Sequence, residues 1–180
     1  MTLRFALFFL LLLFLASCAP RAERPVTAPP SQPAQVADDP VPADFADHLA
    51  RVNEARRTGF DCGERGVFAS ADPLSWNDKL ATAAQKHTRN MLENDFFSHA
   101  DPAGDTPSVR VEREGYAWTL TGENLAYATP GNFTPVSVVD AWLGSPGHCA
   151  VLMDAEFREM GAAKLTGDLE FWTQVFAAPQ

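Results

Sequence analysis

The chain has few basic residues. It carries 14 Lys and Arg against 23 Asp and Glu, a formal net charge of −9, and it has no run rich in Lys or Arg. Proteins that bind nucleic acid usually present a basic patch, and adhesion of a folded surface to anionic lipid needs one as well. The composition therefore argues against a nucleic-acid partner and against membrane attachment through the folded surface.

A hydrophobic run long enough to span a membrane is also missing. The apolar run over residues 5–15 is well short of the roughly 20 residues that a membrane-spanning helix needs. With Arg4 before it, the run is typical of a signal peptide. Leu15-Ala16-Ser17-Cys18 follows and resembles the bacterial lipoprotein signal, which predicts acylation of Cys18, for example with palmitate. The alternative is an ordinary signal peptide with an incidental cysteine.

The segment after this signal is poor in large apolar side chains. Residues 18–42 hold seven of the 14 prolines and cannot bury enough surface to offset the entropy of ordering them. We expect a signal peptide over 1–17, a disordered tether over 18–42 and one domain over 43–180. This predicts an exported protein that is lipid-anchored to the cell envelope. In a Gram-negative cell, Ala19 after Cys18 favours the outer membrane, facing the periplasm.

Cysteine is scarce, with three residues in 180. If Cys18 carries lipid, Cys62 and Cys149 form an even pair in an oxidising compartment, which favours a disulfide bond. The alternative is that Cys149 acts as a thiol nucleophile beside His148, although adjacent side chains rarely point at each other.

Hydrophobic periodicity predicts helices interleaved with strands. Asp44 and Asn77 are expected to cap two helices, and each of Thr106-Pro107 and Thr134-Pro135 is expected to begin another. On the second helix His87 shares a face with Leu80 and Met91, which predicts a core position, whereas His48 beside Asp47 is expected to be solvated. Trp118–Ala126 is weakly strand-like, and apolar runs on both sides of Thr166-Gly167-Asp168 predict a β-hairpin. The pattern favours an α+β fold with an antiparallel sheet packed by helices.

Two catalytic signatures are absent, His-Glu-x-x-His and Gly-x-Ser-x-Gly. Three other blocks each place one chemically capable side chain in a loop-like setting. They are Asn94-Asp-Phe-Phe-Ser-His99, Gly122-Glu-Asn-Leu-Ala126 and Ser145-Pro-Gly-His-Cys149. The question they raise is whether His99, Glu123 and His148 meet in one cleft.

Together with five further stretches, these blocks resemble the CAP superfamily of cysteine-rich secretory, antigen 5 and pathogenesis-related proteins, in its bacterial SCP-like branch. The resemblance covers roughly residues 45–177 and implies a three-layer α-β-α sandwich around an antiparallel sheet, with a cleft lined by His99, Glu123 and His148. A second acidic residue common in the family is replaced here by Gly144 and Ser145. The matching stretches are Val52-Asn-Glu-Ala-Arg56, Leu74-Ser-Trp-Asn-Asp-Lys-Leu80, Ala84-Gln-Lys-His87, Phe97-Ser-His99, Gly122-Glu-Asn-Leu-Ala126, Ala141-Trp-Leu-Gly-Ser-Pro-Gly-His148, Glu159-Met-Gly161 and Phe171-Trp-Thr-Gln-Val-Phe176.

The chemistry of such a cleft leaves alternatives open. Two imidazoles and a carboxylate can hold Zn²⁺ or another divalent cation. Such a metal could activate water, which would make the protein a metal-dependent hydrolase. Without metal, a hydrolase could use a His base with Ser98 or Ser145 as the nucleophile. We interpret the cleft first as a binding site for a small apolar or amphipathic ligand or an envelope component, and we assign no catalytic residue. A third hypothesis is an interaction module that binds another envelope protein.

Overall fold

The structure is a computed structural model that describes residues 40–180. The predicted signal peptide over 1–17, the predicted lipidation site Cys18 and the tether up to residue 39 lie outside the described residues. The predictions for them, including the domain boundary, stay predictions.

Within residues 40–180 the chain forms five α-helices and six β-strands, and two short 3₁₀ turns at Ala43–Phe45 and Gly63–Arg65. In chain order the elements are α1 (Ala46–Thr58), β1 (Phe60–Asp61), β2 (Val67–Phe68), β3 (Ser75–Trp76), α2 (Asp78–Glu93), α3 (Pro107–Arg113), β4 (Trp118–Ala128), α4 (Pro135–Leu143), α5 (Pro146–Met153), β5 (Glu159–Thr166) and β6 (Glu170–Pro179).

The main sheet has four strands in the order β3-β5-β6-β4. Strands β5 and β6 form the expected antiparallel hairpin, and β4 pairs with β6 in the antiparallel sense along its length. The two-residue strand β3 pairs with β5 in the parallel sense, so the sheet departs from the expected antiparallel order at that edge. Strands β1 and β2 form a separate small hairpin.

Helices cover both faces of this sheet. Successive residues of a strand point to opposite faces, and β6 shows the consequence. Val175 packs with α2 and α3 in one hydrophobic cluster. Trp172 and Phe176 pack in a second cluster with residues of α1, α4 and α5. The architecture is therefore an α+β three-layer α-β-α sandwich, as the resemblance implied.

Helix α2 lies unusually close to β5. A Cβ atom added to Gly161 would collide with the backbone of Leu80 and Ala81, so only glycine permits this approach. The small side chains of Ala83 and Ala84, both buried in the same contact region, allow it from the helix side.

Helix ends follow local capping signals in some cases. The Asn77 side chain accepts hydrogen bonds from the backbone of Lys79 and Leu80 at 3.0 and 3.3 Å, and Thr134 caps α4. The prediction that Asp44 caps the first helix is wrong, because Asp44 lies inside the 3₁₀ turn and Phe45 precedes α1. Helix α5 is an element that the sequence patterns do not predict, although Ser145-Pro146 has the same hydroxyl-before-proline pattern as the starts of α3 and α4.

His48 is fully buried, so the expectation that it is solvated is wrong. It lies three residues after Phe45 and four before Val52, which places it on the core face of α1. Its ring is parallel to that of Trp172 and meets Trp142 edge-on. Burial lowers the pKa of His48 from 6.5 to about 4.

The predicted disulfide between Cys62 and Cys149 is confirmed, with 5.5 Å between the Cα atoms. It ties the loop after β1 to α5, directly after His148. Cys149 is therefore not the thiol nucleophile that the sequence left as an alternative. Among the helices of residues 40–180, none combines the length and apolar character needed to cross a membrane.

Candidate functional site

The site is centred on a buried carboxylate beneath an exposed imidazole. Glu123 lies in the middle of β4 with its side chain 1% exposed, and His99 lies in the loop after α2 with its side chain 56% exposed. His99 Nδ1 is 2.9 Å from Glu123 Oε1, so this nitrogen donates to the carboxylate. His99 is thereby anchored at one ring nitrogen, and its Nε2 makes no hydrogen bond to any residue of the 40–180 region.

The second oxygen of Glu123 is held by Arg110 of α3. Arg110 Nη2 donates to Glu123 Oε2 at 2.6 Å, a charge-assisted hydrogen bond between two buried side chains. Arg110 Nη1 donates to the carbonyl oxygens of His99 and Asp105 at 3.0 and 2.8 Å. One guanidinium therefore fixes both the carboxylate and the loop that carries His99.

A second histidine, His87, contacts this cluster from the core. His87, buried on α2 as predicted, donates from Nε2 to the carbonyl oxygen of Ser98 at 2.9 Å, and the same nitrogen is 3.9 Å from Glu123 Oε1. Burial lowers the pKa of His87, the nearby charge of Glu123 opposes that shift, and Arg110 adds to it. His87 is thus a core residue that also positions the start of the His99 loop.

His148 approaches from the other side of β4, as the third residue of α5. Its Nδ1 is 3.0 Å from Ser145 Oγ, and its backbone carbonyl accepts a hydrogen bond from Asn124 Nδ2 at 3.2 Å. Burial lowers the pKa of His148, and the charge of His99 lowers it further.

A neutral hydrogen-bond chain continues from Asn124 into the core. Asn124 Nδ2 also lies 3.3 Å from Gln174 Oε1, and Gln174 Nε2 lies 3.0 Å from His48 Nε2. The amide nitrogen can only donate, so His48 Nε2 accepts and its proton is on Nδ1. This chain links α5, β4, β6 and α1 without a formal charge.

The structure thus joins His99 directly to Glu123. It holds His148 through its backbone carbonyl, bonded to Asn124 next to Glu123, and through Ser145. That the three residues bind a ligand stays a prediction. Sequence reasoning missed Arg110. The charge pattern of α3 shows two arginines three residues apart, Arg110 and Arg113, and nothing local distinguishes the buried one from the exposed one.

As folded, these side chains do not fit a divalent cation. The Glu123 side chain is 1% exposed and both of its oxygens already accept hydrogen bonds. Without it the site offers two imidazoles, one fewer than the three protein ligands of an open zinc site. The positive Arg110 would also repel a cation at this position. Across residues 40–180, no three His, Cys, Asp or Glu side chains are grouped to hold a metal ion.

The sequence comparisons identify the family of the chain. Residues 49–176 match the model of the cysteine-rich secretory protein family, CAP, and the chain belongs to that family. A similar protein is the uncharacterized protein YkwD of Bacillus subtilis, 29% identical over 104 residues, which are 58% of this chain and 39% of that protein. The matched part therefore spans well under half of that relative.

Solved structures share the fold. An outer surface protein of Borrelia burgdorferi has a TM-score of 0.63 and 23% identity, covering 76% of this chain and 93% of that one. NaASP2, solved with Zn²⁺, has a TM-score of 0.52 and 13% identity, covering 74% and 78%. Proteins of this fold thus include one from a bacterial surface and one whose structure was solved with a metal ion.

Proposed function

We propose that this protein is an exported, lipid-anchored protein of the cell envelope whose CAP domain binds a small amphipathic ligand at His99, Glu123 and His148. The observation that carries the proposal is the difference in solvent exposure between the two side chains of one hydrogen bond, His99 and Glu123. The Glu123 side chain is 1% exposed and the His99 side chain is 56% exposed. A buried charge that holds a solvent-facing imidazole in one orientation is an arrangement suited to recognition.

An exposed aromatic pair beside this group supports the amphipathic character of the ligand. Phe97, two residues before His99, is 44% exposed, and Tyr127 is 53% exposed. Their rings meet edge-on at 4.7 Å, backed by Phe171. Tyr127 lies four residues after Glu123 and so on the same face of β4. An apolar chain on the aromatic pair would place its polar head at His99.

Ligand binding is tested by titrating the protein with dodecanoate and with lysophospholipid, followed by NMR. We expect saturable shifts around Phe97, His99 and Tyr127, and a loss of at least about tenfold in affinity in His99→Ala, in line with the loss of an anchoring contact. Val67→Ala, at an exposed apolar position on β2, is the matched control and should bind as wild type. Equal affinity in His99→Ala and wild type would refute the site.

Catalysis is the second candidate, favoured by the 3.0 Å contact between Ser145 Oγ and His148 Nδ1. A serine next to an imidazole could be a nucleophile with its base. The contact also has a local explanation, since Ser145 precedes α5 and His148 is its third residue, where a side chain reaches back to the helix start. We therefore expect no turnover of an ester panel above a Ser145→Ala control. Turnover that Ser145→Ala abolishes would replace the binding proposal with a hydrolase.

The location in the envelope rests on residues outside the described region. The proposal is supported by the lipoprotein-like sequence at Cys18 and by a surface-protein neighbour of the same fold. Labelling of cells with a palmitate analogue should mark the wild-type chain. Equal labelling of Cys18→Ala would rule out this anchor.

A further inference from the structure

Arg110 supplies the positive charge that compensates Glu123, and this affects what the site can bind. Glu123 is a carboxylate with almost no solvent contact, and a buried charge without a partner is strongly unfavourable. In a metal site the cation would supply the compensating charge. Here that charge is supplied by Arg110, at 2.6 Å from Oε2 and with its side chain 8% exposed.

The guanidinium is bound on more than one side, so it is fixed in this position. Nη2 holds the carboxylate, and Nη1 holds the carbonyls of His99 and Asp105. A planar, permanently charged fork with several bonds loses little further freedom when it holds an anion. A cation at Glu123 would be repelled by Arg110, and moving Arg110 away would take its support from the loop that presents His99. Without Glu123 only the two imidazoles remain, fewer than the three protein ligands of an open zinc site.

From this arrangement we infer that Arg110 is the resident cation of the site and excludes divalent metal from His99, Glu123 and His148. Recognition by this chain is then metal-independent, and the two imidazoles serve as hydrogen-bonding groups for the polar head of a ligand. The inference rests on the proposed function, because it states what the same site selects against. Arg110 acts here as a specificity-determining residue that does not itself need to touch the ligand.

The test is a Zn²⁺ titration of the full chain in detergent, by calorimetry, with wild type, Glu123→Gln, His99→Ala, Arg110→Met, Arg110→Met/Glu123→Gln and Arg113→Met. Arg113 is the matched control, since it lies on the same helix but pairs with Asp105 at the surface. We expect wild type and Arg113→Met to show no Zn²⁺ binding that depends on Glu123 or on His99. Arg110→Met should gain affinity by about tenfold or more, because an adjacent opposite charge shifts carboxylate affinity for a cation by that order. The double variant should lose the gain.

Zn²⁺ binding by wild type that either Glu123→Gln or His99→Ala weakens would overturn the inference, and so would the absence of a gain in a folded Arg110→Met. If Arg110→Met fails to fold by circular dichroism, imidazole ¹⁵N shifts of wild type and Arg110→Lys decide instead. The shifts of His99 and His148 should not move with Zn²⁺ in either protein, and movement of either would refute metal exclusion.

Failure of this inference is distinguishable from failure of the proposed function. Dodecanoate binding measured in EDTA should equal binding in its absence. If binding requires Zn²⁺ but is still lost in His99→Ala, the inference fails and the binding site stands. If binding is unaffected by His99→Ala in either buffer, the proposed function itself fails.

Discussion

Glu123 and Asn124 are neighbours on β4, yet their surroundings differ in kind. Glu123 faces α2 and α3, where Arg110 and His99 bond its two oxygens. Asn124 faces the opposite layer, where its amide bonds the His148 carbonyl and Gln174. One side is a charge-paired cluster that reaches solvent through His99, and the other is a neutral chain that ends at the fully buried His48.

This difference shows how one strand can supply both a binding group and its support. The charged side compensates a buried carboxylate with a buried guanidinium, which keeps His99 oriented while the imidazole stays accessible. The neutral side contributes hydrogen bonds that fix α5 against the sheet, with the Cys62–Cys149 disulfide directly after His148. His99 is therefore held by a buried pair of opposite charges, whereas His148 is held by neutral hydrogen bonds and lies next to the disulfide.

The largest loss in the free energy of unfolding is expected when the cation of the charge-paired cluster, Arg110, is removed. Arg110→Met leaves Glu123 buried without its cation, and removal of one partner of a buried ion pair costs about 3–5 kcal/mol. Urea denaturation of wild type, Arg110→Met and Arg113→Met measures the change in the free energy of unfolding. Arg113 pairs with Asp105 at the surface, so its loss should cost less than about 1 kcal/mol. Equal losses in the two variants would show that the burial of Arg110 has no energetic role.

The stability contributed by the neutral hydrogen-bond chain, which ends at His48, should fall at acidic pH. The pKa of His48 is lowered from 6.5 to about 4 by burial, so the folded state favours the neutral ring. The corresponding stability is fully present above pH 6.5 and is lost as the pH falls toward 4, by about 3 kcal/mol.

Because His87 and His148 also have lowered pKa values, the contribution of His48 must be isolated with a variant. We expect His48→Phe to show a shallower loss of stability between pH 6.5 and 4 than wild type, measured by denaturation at each pH. Parallel curves for the two proteins would contradict the burial of a neutral His48.

A smaller effect is expected from interrupting the amide chain. Gln174→Leu leaves His48 Nε2 without its donor and should cost about 1–3 kcal/mol in the free energy of unfolding. Gln85→Leu, the same change at an exposed position of α2, should stay within about 0.5 kcal/mol. If the loss of stability in the double variant His48→Phe/Gln174→Leu equals the sum of the two single losses, the two side chains are not coupled.

Local chemistry explains which parts of the fold were predictable. Asn77, Thr134 and the Gly167-Asp168 hairpin act through backbone contacts a few residues away, and their elements lie where the sequence places them. Ser145-Pro146 carries the same kind of signal, but the glycine and histidine that follow it favour a turn, and α5 was missed.

The candidate site was predictable only in part. His99, Glu123 and His148 were identified through the family resemblance, because their spacing in the chain says nothing about proximity. The roles of Arg110 and His48 depend on tertiary packing. Arg110 and Arg113 are equivalent until β4 is packed against α3, and the burial of His48 requires the aromatic rings of three separate elements.

The central claim is that Arg110 compensates the buried charge of Glu123. A double-mutant cycle with Arg110→Met, Glu123→Gln and the double variant, read from urea denaturation at neutral pH, tests it most directly. We expect a coupling energy of about 2–3 kcal/mol, because loss of Arg110 leaves no buried charge uncompensated once Glu123 is replaced by neutral Gln. A coupling below about 0.5 kcal/mol would show that the two side chains act independently and would contradict the charge balance on which the site is built.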